Sequence, residues 1–309
     1  MRPTAFAAPG RFYRGNLHTH SNHSDGSLPP DEVCRRYAGA GYDFLCLSDH
    51  FVGQYGYPIT DTTGYRRDGF TTLLGAELHS GALANGELWH LLAVGLPADF
   101  APSDSPGFKP HPGQESGAAI AERARAAGAF VVLAHPEWYG LTLADALPVE
   151  AAHAIEVHNS ASYVECDRGG GAGLLDQLLN AGRSINPIAA DDAHFRGTTP
   201  DHFGGWVMVK AEANVPETLL AALKSGQYYS STGAELRDIE ISETHIRVAC
   251  SPAARVTVVG HHTAAAAVQG HALTEATLPI ERFKKGGWLR VTVIDAAGKR
   301  AWSNPIRLD

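Results

Sequence analysis

Two short stretches, far apart in the chain, constrain its fold more than any other feature. HTHSNHSDG spans residues 18–26 and DDAH spans 191–194. Each closes an apolar run. Each also carries ligand-type side chains two positions apart, His18 with His20 and Asp192 with His194. On a β-strand that spacing puts both side chains on one face. Polar residues end further apolar runs in between: SDH at 48–50, GAEL at 75–78, His90 within LWHLLAVG, and AHPEW at 134–138. A barrel of parallel strands gathers such strand ends on one rim. Histidines and carboxylates collected there suit a transition-metal site.

The runs themselves read as strands at 12–18, 42–50, 70–78, 88–96, 129–136, 153–159 and 184–194. Helical patterns separate several of them. One starts at Asp31 as its cap and ends near Gly39, with Cys34, Tyr37 and Ala38 inward. Others cover Gln114 to Ala127, 141–148, and 174–182, the last closed by Gly182. Long loops fill 51–69 and the Pro- and Ser-rich stretch after Leu96. This alternation predicts an α/β fold, a distorted (βα)7 TIM-like barrel one unit short of the usual eight. A strand at 204–211 and a helix from Pro216 to Ser225 follow, and YYSSTG (228–233) breaks the pattern. From Glu235 onward only short alternating strands with Gly and Asn turns remain, with no helical pattern. The expected domains are therefore 1–234, the barrel, and 235–309, a small C-terminal β-sandwich.

Composition excludes several classes. The chain of 309 residues is 44% hydrophobic and 19% charged, which fits a folded protein. Its net charge is -8, with no basic run, which argues against nucleic acid as the main partner. No apolar run reaches the roughly 20 residues of a membrane span. The N-terminal residues have no signal-peptide core. Four cysteines form no CxxC pair, so a reduced, cytoplasmic protein is expected. Sixteen histidines are an excess with a chemical reading.

An isolated buried histidine is more often a hydrogen-bonding core residue than a ligand. That reading weakens for His18, His20 and Asp192, which sit in paired motifs closing two strands. Glu77 stands in an otherwise apolar strand, where a charge is costly unless paired or coordinated. Its two oxygens make it the candidate bridge between two cations. No GxSxG elbow is present, so no covalent serine intermediate is expected.

In order, HxHxxxxDG, SDH, GAEL, the strand histidine, HP and DAH resemble the PHP (polymerase and histidinol phosphatase) superfamily across 12–234. LKSGQYYSSTG (223–233) and GWLRVTVIDAAGKRAWSNPI (287–306) are similar to its CehA/McbA-type subgroup. The resemblance implies two to three divalent metal ions, for which Zn, Mn and Fe are all suitable. His18, His20, Glu77 and Asp192 would hold the first. Glu77, His90 and His135 would hold the second, and Asp25, His50 and His194 the third. Catalysis would fall to Glu77 as bridge, with a hydroxide held between the metals, and to His194 or His50 as acid.

The expected activity is hydrolysis of a small-molecule ester, a phosphoester first and a carboxylic or carbamate ester as the alternative. Arg196, Trp138 and His158 are candidate substrate contacts. Arg66 and Arg67 are further phosphate candidates, and Tyr55, Tyr57, Trp89 and Tyr139 offer an aromatic wall. His79, His111, His153 and His202 are weaker candidates for pocket lining. The rival reading is a non-catalytic binding module that uses the β-rich tail. The sequence leaves the oligomeric state open.

Overall fold

The structure is a computed structural model that describes residues 1–109 and 115–308. A short helix α1 (Thr4–Ala7) precedes β1 (Arg11–Asn16), α2 (Pro30–Gly39), β2 (Phe44–Leu47), β3 (His50–Phe51), β4 (Thr71–Leu78) and β5 (Leu91–Val94). Then come α3 (Gly117–Ala126), β6 (Phe130–Leu133), α4 (Leu143–Ala146), β7 (Ala154–Asn159), α5 (Ser160–Cys166), α6 (Ala172–Asn180) and β8 (Asn186–Ala190). β9 (Trp206–Ala211), α7 (Pro216–Lys224) and β10 (Tyr228–Ser231) complete the first part. The tail holds β11 (Leu236–Ile241), β12 (His245–Gly260), β13 (Ala265–Pro279), α8 (Glu281–Lys284), β14 (Trp288–Ile294), β15 (Arg300–Ser303) and β16 (Ile306–Arg307).

The helices bury one stripe each, as their apolar spacing requires. In α2 it is Val33, Cys34 and Tyr37; in α6, Leu175, Leu178 and Leu179; in α7, Leu219, Ala222 and Leu223. Pro30 occupies the first turn of α2, where its missing N–H costs nothing, and Pro29 is the cap position. Asp31 is therefore inside the first turn and does not cap the helix. The expected start of α3 at Gln114 lies outside the described residues; Ser116 caps the helix by accepting from the Ala119 N–H.

The strands form one mixed sheet, ordered β11-β12-β14-β15-β10-β9-β1-β2-β4-β5-β6-β7-β8. β1, β2 and β4 pair in parallel, as do β6, β7 and β8. β5 runs antiparallel to both of its neighbours, and β9 runs antiparallel to β1. The expected all-parallel (βα)7 barrel is thus corrected. No helix connects β4 to β5 among the described residues, so β5 can reverse direction. The sheet curls: Phe44 of β2, Leu92 of β5, Ile188 of β8 and Val209 of β9 share one apolar cluster. It does not close through a ladder between β8 and β1. A single parallel bridge, Thr19 with Ala193, joins their extensions. Gly15 matters here: a Cβ on it would fall 2.1 Å from the Phe44 ring.

The tail is antiparallel β-structure as expected, with α8 as an unexpected turn of helix. It is not a separately hydrogen-bonded sheet, because β15 pairs with β10 and extends the barrel-side strands. Its own core, with Val248, Val256, Phe283 and Val291, also takes in Tyr229 of β10.

Candidate metal centre

Backbone geometry first brings the two terminal motifs together. The Asp192 N–H donates to the His18 carbonyl at 2.9 Å, and the His20 N–H donates to the Ala193 carbonyl at 2.9 Å. Asp192 adopts φ 59° and His135 φ 20°, in the left-handed range that non-glycine residues avoid. Such strain persists where surrounding contacts impose it, and it concentrates at functional sites.

Glu77, fully buried on β4, lies at the centre. One oxygen, Oε1, lies 2.8 Å from His90 Nδ1 and 3.0 Å from His135 Nε2. The other, Oε2, lies 2.7 Å from His50 Nδ1 and 3.5 Å from Nε2 of both His18 and His20. His18 and His20 reach Asp192 Oδ1 at 3.1 and 3.0 Å. Asp25 Oδ1 meets His50 Nε2 at 3.3 Å and His194 Nε2 at 3.2 Å. Ligand atoms fall into overlapping groups, within 4.8 Å in each: His18, His20, Glu77, Asp192; Glu77, His90, His135; His20, Asp25, His50, His194. All the ligand-type residues singled out in the sequence are therefore gathered in one place.

This donor set fits divalent cations. His18 Nε2, Glu77 Oε2 and Asp25 Oδ1 are buried, and their neighbours are other ligand-type atoms rather than partners with hydrogen-bond geometry. Buried polar atoms are ordinarily satisfied by hydrogen bonds, so this crowding of donors and carboxylates fits a shared cation. The charge balance agrees. Burial raises the pKa of Glu77, but the surrounding His50, His90 and His18 outweigh it and hold the carboxyl well below its usual range. Burial lowers His50, yet Glu77 and Asp25 outweigh it and lift the imidazole to about 10. His20 is pushed down to about 4 by burial and then by His50 and His194. In the metal-free chain these carboxylates are neutralised by histidine protons, which a cation would displace.

Two residues outside the expected ligand set support the cluster: Glu156, not singled out from the sequence, and His79, a weaker pocket-lining candidate there. Glu156, buried on β7, accepts from His18 Nδ1 at 2.7 Å, from the His135 N–H at 2.7 Å and from Asn159 Nδ2 at 2.8 Å. This turns His18 Nε2 toward Asp192 and Glu77; burial lowers its pKa, but Asp192, Glu156 and Glu77 outweigh that and raise it, so a cation there would displace a proton. His79 donates from Nδ1 to the Trp89 carbonyl and places Nε2 2.8 Å from His50 Nδ1. Both had a legible signal. Glu156 is a charge in an apolar strand, and Glu77 and His79 repeat the i, i+2 spacing.

The open face of the cluster is a cleft of about 270 Å³, lined by His90, Phe108, Trp138, Glu165, His194 and Arg196 among others. Trp138, 41% exposed, lies 5.1 Å from His135, ring to ring. Phe108 also lines the cleft, its ring 4.7 Å from that of His50. Arg196 is present but ion-paired with Asp25. His158 is not in this cleft. A register shift between Glu156 and His158 breaks the strand alternation and turns the imidazole to Ser160 and a separate hollow. Arg66 is hydrogen-bonded to the Thr72 carbonyl and Arg67 lies over Phe70; neither lines the cleft. Trp89 and Tyr139 are core residues, Tyr57 packs on Phe51, and Tyr55 contacts Phe108 without lining the cleft. His153 is on the opposite end of its strand, accepting from Val131, and His202 packs on Phe195. His111 lies outside the described residues.

No family model matches the sequence, and no curated protein does. Solved structures do match. A two-domain protein of Bacteroides vulgatus, containing a predicted PHP-like metal-dependent phosphoesterase, aligns over 98% of both chains at 16% identity and TM-score 0.54. An amidohydrolase of Chromobacterium violaceum aligns over 61% of this chain and 90% of its own, at 18% identity and TM-score 0.45. A lesion-specific endonuclease of Pyrococcus furiosus aligns over 69% of this chain and 56% of its own, at 17% identity and TM-score 0.44. The fold, tail included, is thus one shared with a PHP-like two-domain protein. Among the described residues no helix is long and apolar enough to cross a membrane.

Proposed function

We propose that the protein is a metal-dependent hydrolase of the PHP type, acting on a small phosphoester. The observation that carries this is the gathering of buried histidines and carboxylates into overlapping groups around Glu77, with the ligand atoms of each group within 4.8 Å of one another. His18, His20, Glu77 and Asp192 would hold one ion, Glu77, His90 and His135 a second, and Asp25, His50 and His194 a third. Bound divalent cations supply Lewis acidity toward the ester oxygens and toward a water nucleophile. The chain's own residues do the rest. Glu77 places one oxygen toward each of two ion sites. Glu156 and His79 fix the ring orientations of His18 and His50. His194 donates from Nδ1 to the Asp192 carbonyl at 2.8 Å and turns Nε2 to Asp25. Burial weakens its basicity, but Asp25 and Asp192 outweigh that and raise its pKa, so His194 holds a proton for the leaving oxygen when no cation occupies Nε2. Trp138 and Phe108 flank the organic part of the substrate.

The tail is read as a unit of the CehA/McbA type, beginning near Glu235. A carboxylic or carbamate ester is the second reading. It is favoured by the aromatic mouth and by the lone cleft arginine being committed to Asp25 rather than free for a phosphate. Elemental analysis followed by turnover assays with Mn- or Zn-loaded protein on phosphomonoesters, phosphodiesters and aryl carbamates tests both. Two to three ions per chain with phosphoester turnover is expected. Protein that binds at most one ion after reconstitution refutes the cluster assignment.

A further inference from the structure

A second hollow, of about 430 Å³, lies where the turn between β14 and β15 meets the chain around α5. That volume is within the range of small-ligand pockets. Its aromatic lining is His158, Trp302 and Tyr163. The His158 and Trp302 rings are 6.4 Å apart and 28° from parallel, and Tyr163 is 5.9 Å from His158. Arg300 and Trp302 are two apart on β15 and so share a face. Lys299 and Arg300 are exposed at the tail side, and Asp167 at the other. None of these three side chains makes an ion pair or hydrogen bond among the described residues, although opposite charges line one hollow.

The buried end of the hollow is chemically specific. Ser160 Oγ donates toward two acceptors, Asp191 Oδ1 at 3.0 Å and the Ala190 carbonyl at 3.4 Å, which uses its only proton. Its contact with His158 Nε2 at 3.2 Å is therefore one in which the ring N–H donates to the hydroxyl. In neutral His158 Nδ1 is then an acceptor, for which no hydrogen-bond partner appears among the described residues. The hollow thus offers a cationic rim on one side, an acceptor and the carboxylates of Asp167 and Glu137 on the other, and flat rings between; Glu137 is engaged by the Gly170 N–H at 3.0 Å.

We propose that this hollow binds a free aromatic α-amino acid. Its carboxylate would face Lys299 and Arg300, its ammonium Asp167 and His158 Nδ1, and its ring Tyr163 and Trp302. A simple aromatic anion leaves Asp167 and the His158 lone pair unanswered; an aromatic amine leaves both cations unanswered. The zwitterion answers both signs of charge, with Glu137 already held by the Gly170 N–H. The inference stands independently of the reaction at the metal centre.

Isothermal titration of the full chain with L-phenylalanine tests it, beside 3-phenylpropionate, which lacks the ammonium, and 2-phenylethylamine, which lacks the carboxylate. Saturable binding of phenylalanine is expected, with each half-ligand weaker by about tenfold or more, the scale of one lost charged contact. The double variant Lys299→Gln/Arg300→Gln should weaken phenylalanine by a similar factor and leave phenylethylamine unchanged. Both positions are exposed, so the fold is kept, and an unchanged melting temperature checks this. Three results would each overturn the assignment: no saturable heat with phenylalanine, equal affinity for a half-ligand, or equal phenylalanine affinity in the double variant.

Discussion

Replacing Glu156 by Gln sets the tautomer of His18 against the satisfaction of buried donors, and the outcome can be worked from three distances. Oε1 accepts from His18 Nδ1 at 2.7 Å; Oε2 accepts from the His135 N–H at 2.7 Å and from Asn159 Nδ2 at 2.8 Å. A glutamine has one acceptor oxygen. If that oxygen faces His18, the new NH2 confronts two buried donors. Each unsatisfied group costs about 1–3 kcal/mol, so about 2–6 kcal/mol together. If it instead faces His135 and Asn159, the NH2 confronts His18 Nδ1. His18 then gives up its Nδ1 proton and carries one on Nε2, the atom 3.1 Å from Asp192. The second arrangement avoids the donor clash and should prevail, at the expense of a ligand lone pair. Loss of such an orienting partner typically weakens metal binding by roughly 10–100-fold. Competitive titration of Mn or Zn against a chelator measures the affinity, and 15N NMR of the metal-free imidazoles reads the His18 tautomer. A folded Glu156→Gln protein with wild-type metal affinity and His18 still protonated at Nδ1 would refute the argument.

Three further outcomes are expected. Glu77→Gln removes the anionic charge between two ion sites, where unit charges about 4 Å apart interact by about 4 kcal/mol at an effective dielectric of 20. One ion should be lost and turnover should fall roughly a thousandfold, about 4 kcal/mol; full metal content with near-normal turnover contradicts the bridging role. His153 accepts the Val131 N–H, and burial, with Arg125 and Lys224 nearby, pushes it down to about 4. The unfolded chain, at about 6.5, takes the proton first, so His153 removes stability as pH falls from about 6.5 to about 4. His153→Asn keeps an acceptor without titrating, so its melting temperature should drop less than wild type between pH 7 and 5; parallel drops would exclude the role. A chain ending at Gly233 loses the β10–β15 pairing and uncovers Tyr229, so it should aggregate. Monodisperse truncated protein would instead show that the division near Glu235 separates two autonomous units.

Much of the centre was legible because its signals are local. An HxH or DxH pair at a strand end, or a glutamate in an apolar run, is written in consecutive residues. What escaped depends on pairing. Apolar periodicity gives the face a side chain takes but not the direction of its strand, so the antiparallel course of β5, which no helix links to β4, is not written around His90. Likewise a register shift on β7 turned His158 away although its spacing from Glu156 put it on the same face. The open sheet and its continuation into the tail are decided by β8, β10 and β15, whose partners are remote. Glu156 carries the same signal as Glu77, a charge in an apolar strand, and His79, a weaker pocket-lining candidate by sequence, stands at the i, i+2 spacing from Glu77.

The central position of β1 has a consequence for how the chain is made. Gly15 pairs with Phe44, which emerges from the ribosome soon afterward, but Phe12 pairs with Lys210 on the other side. His18 and His20, borne on the extension of the same strand, wait likewise for Asp192 and Ala193. The earliest strand synthesised therefore keeps one edge unpaired while most of the polypeptide is translated. Such long-range closure slows folding, and an open edge invites pairing with other chains. During that interval the nascent protein exposes a half-built histidine cluster that can capture free metal in the wrong geometry, so the order of translation, and not only the finished fold, bears on whether the centre loads correctly.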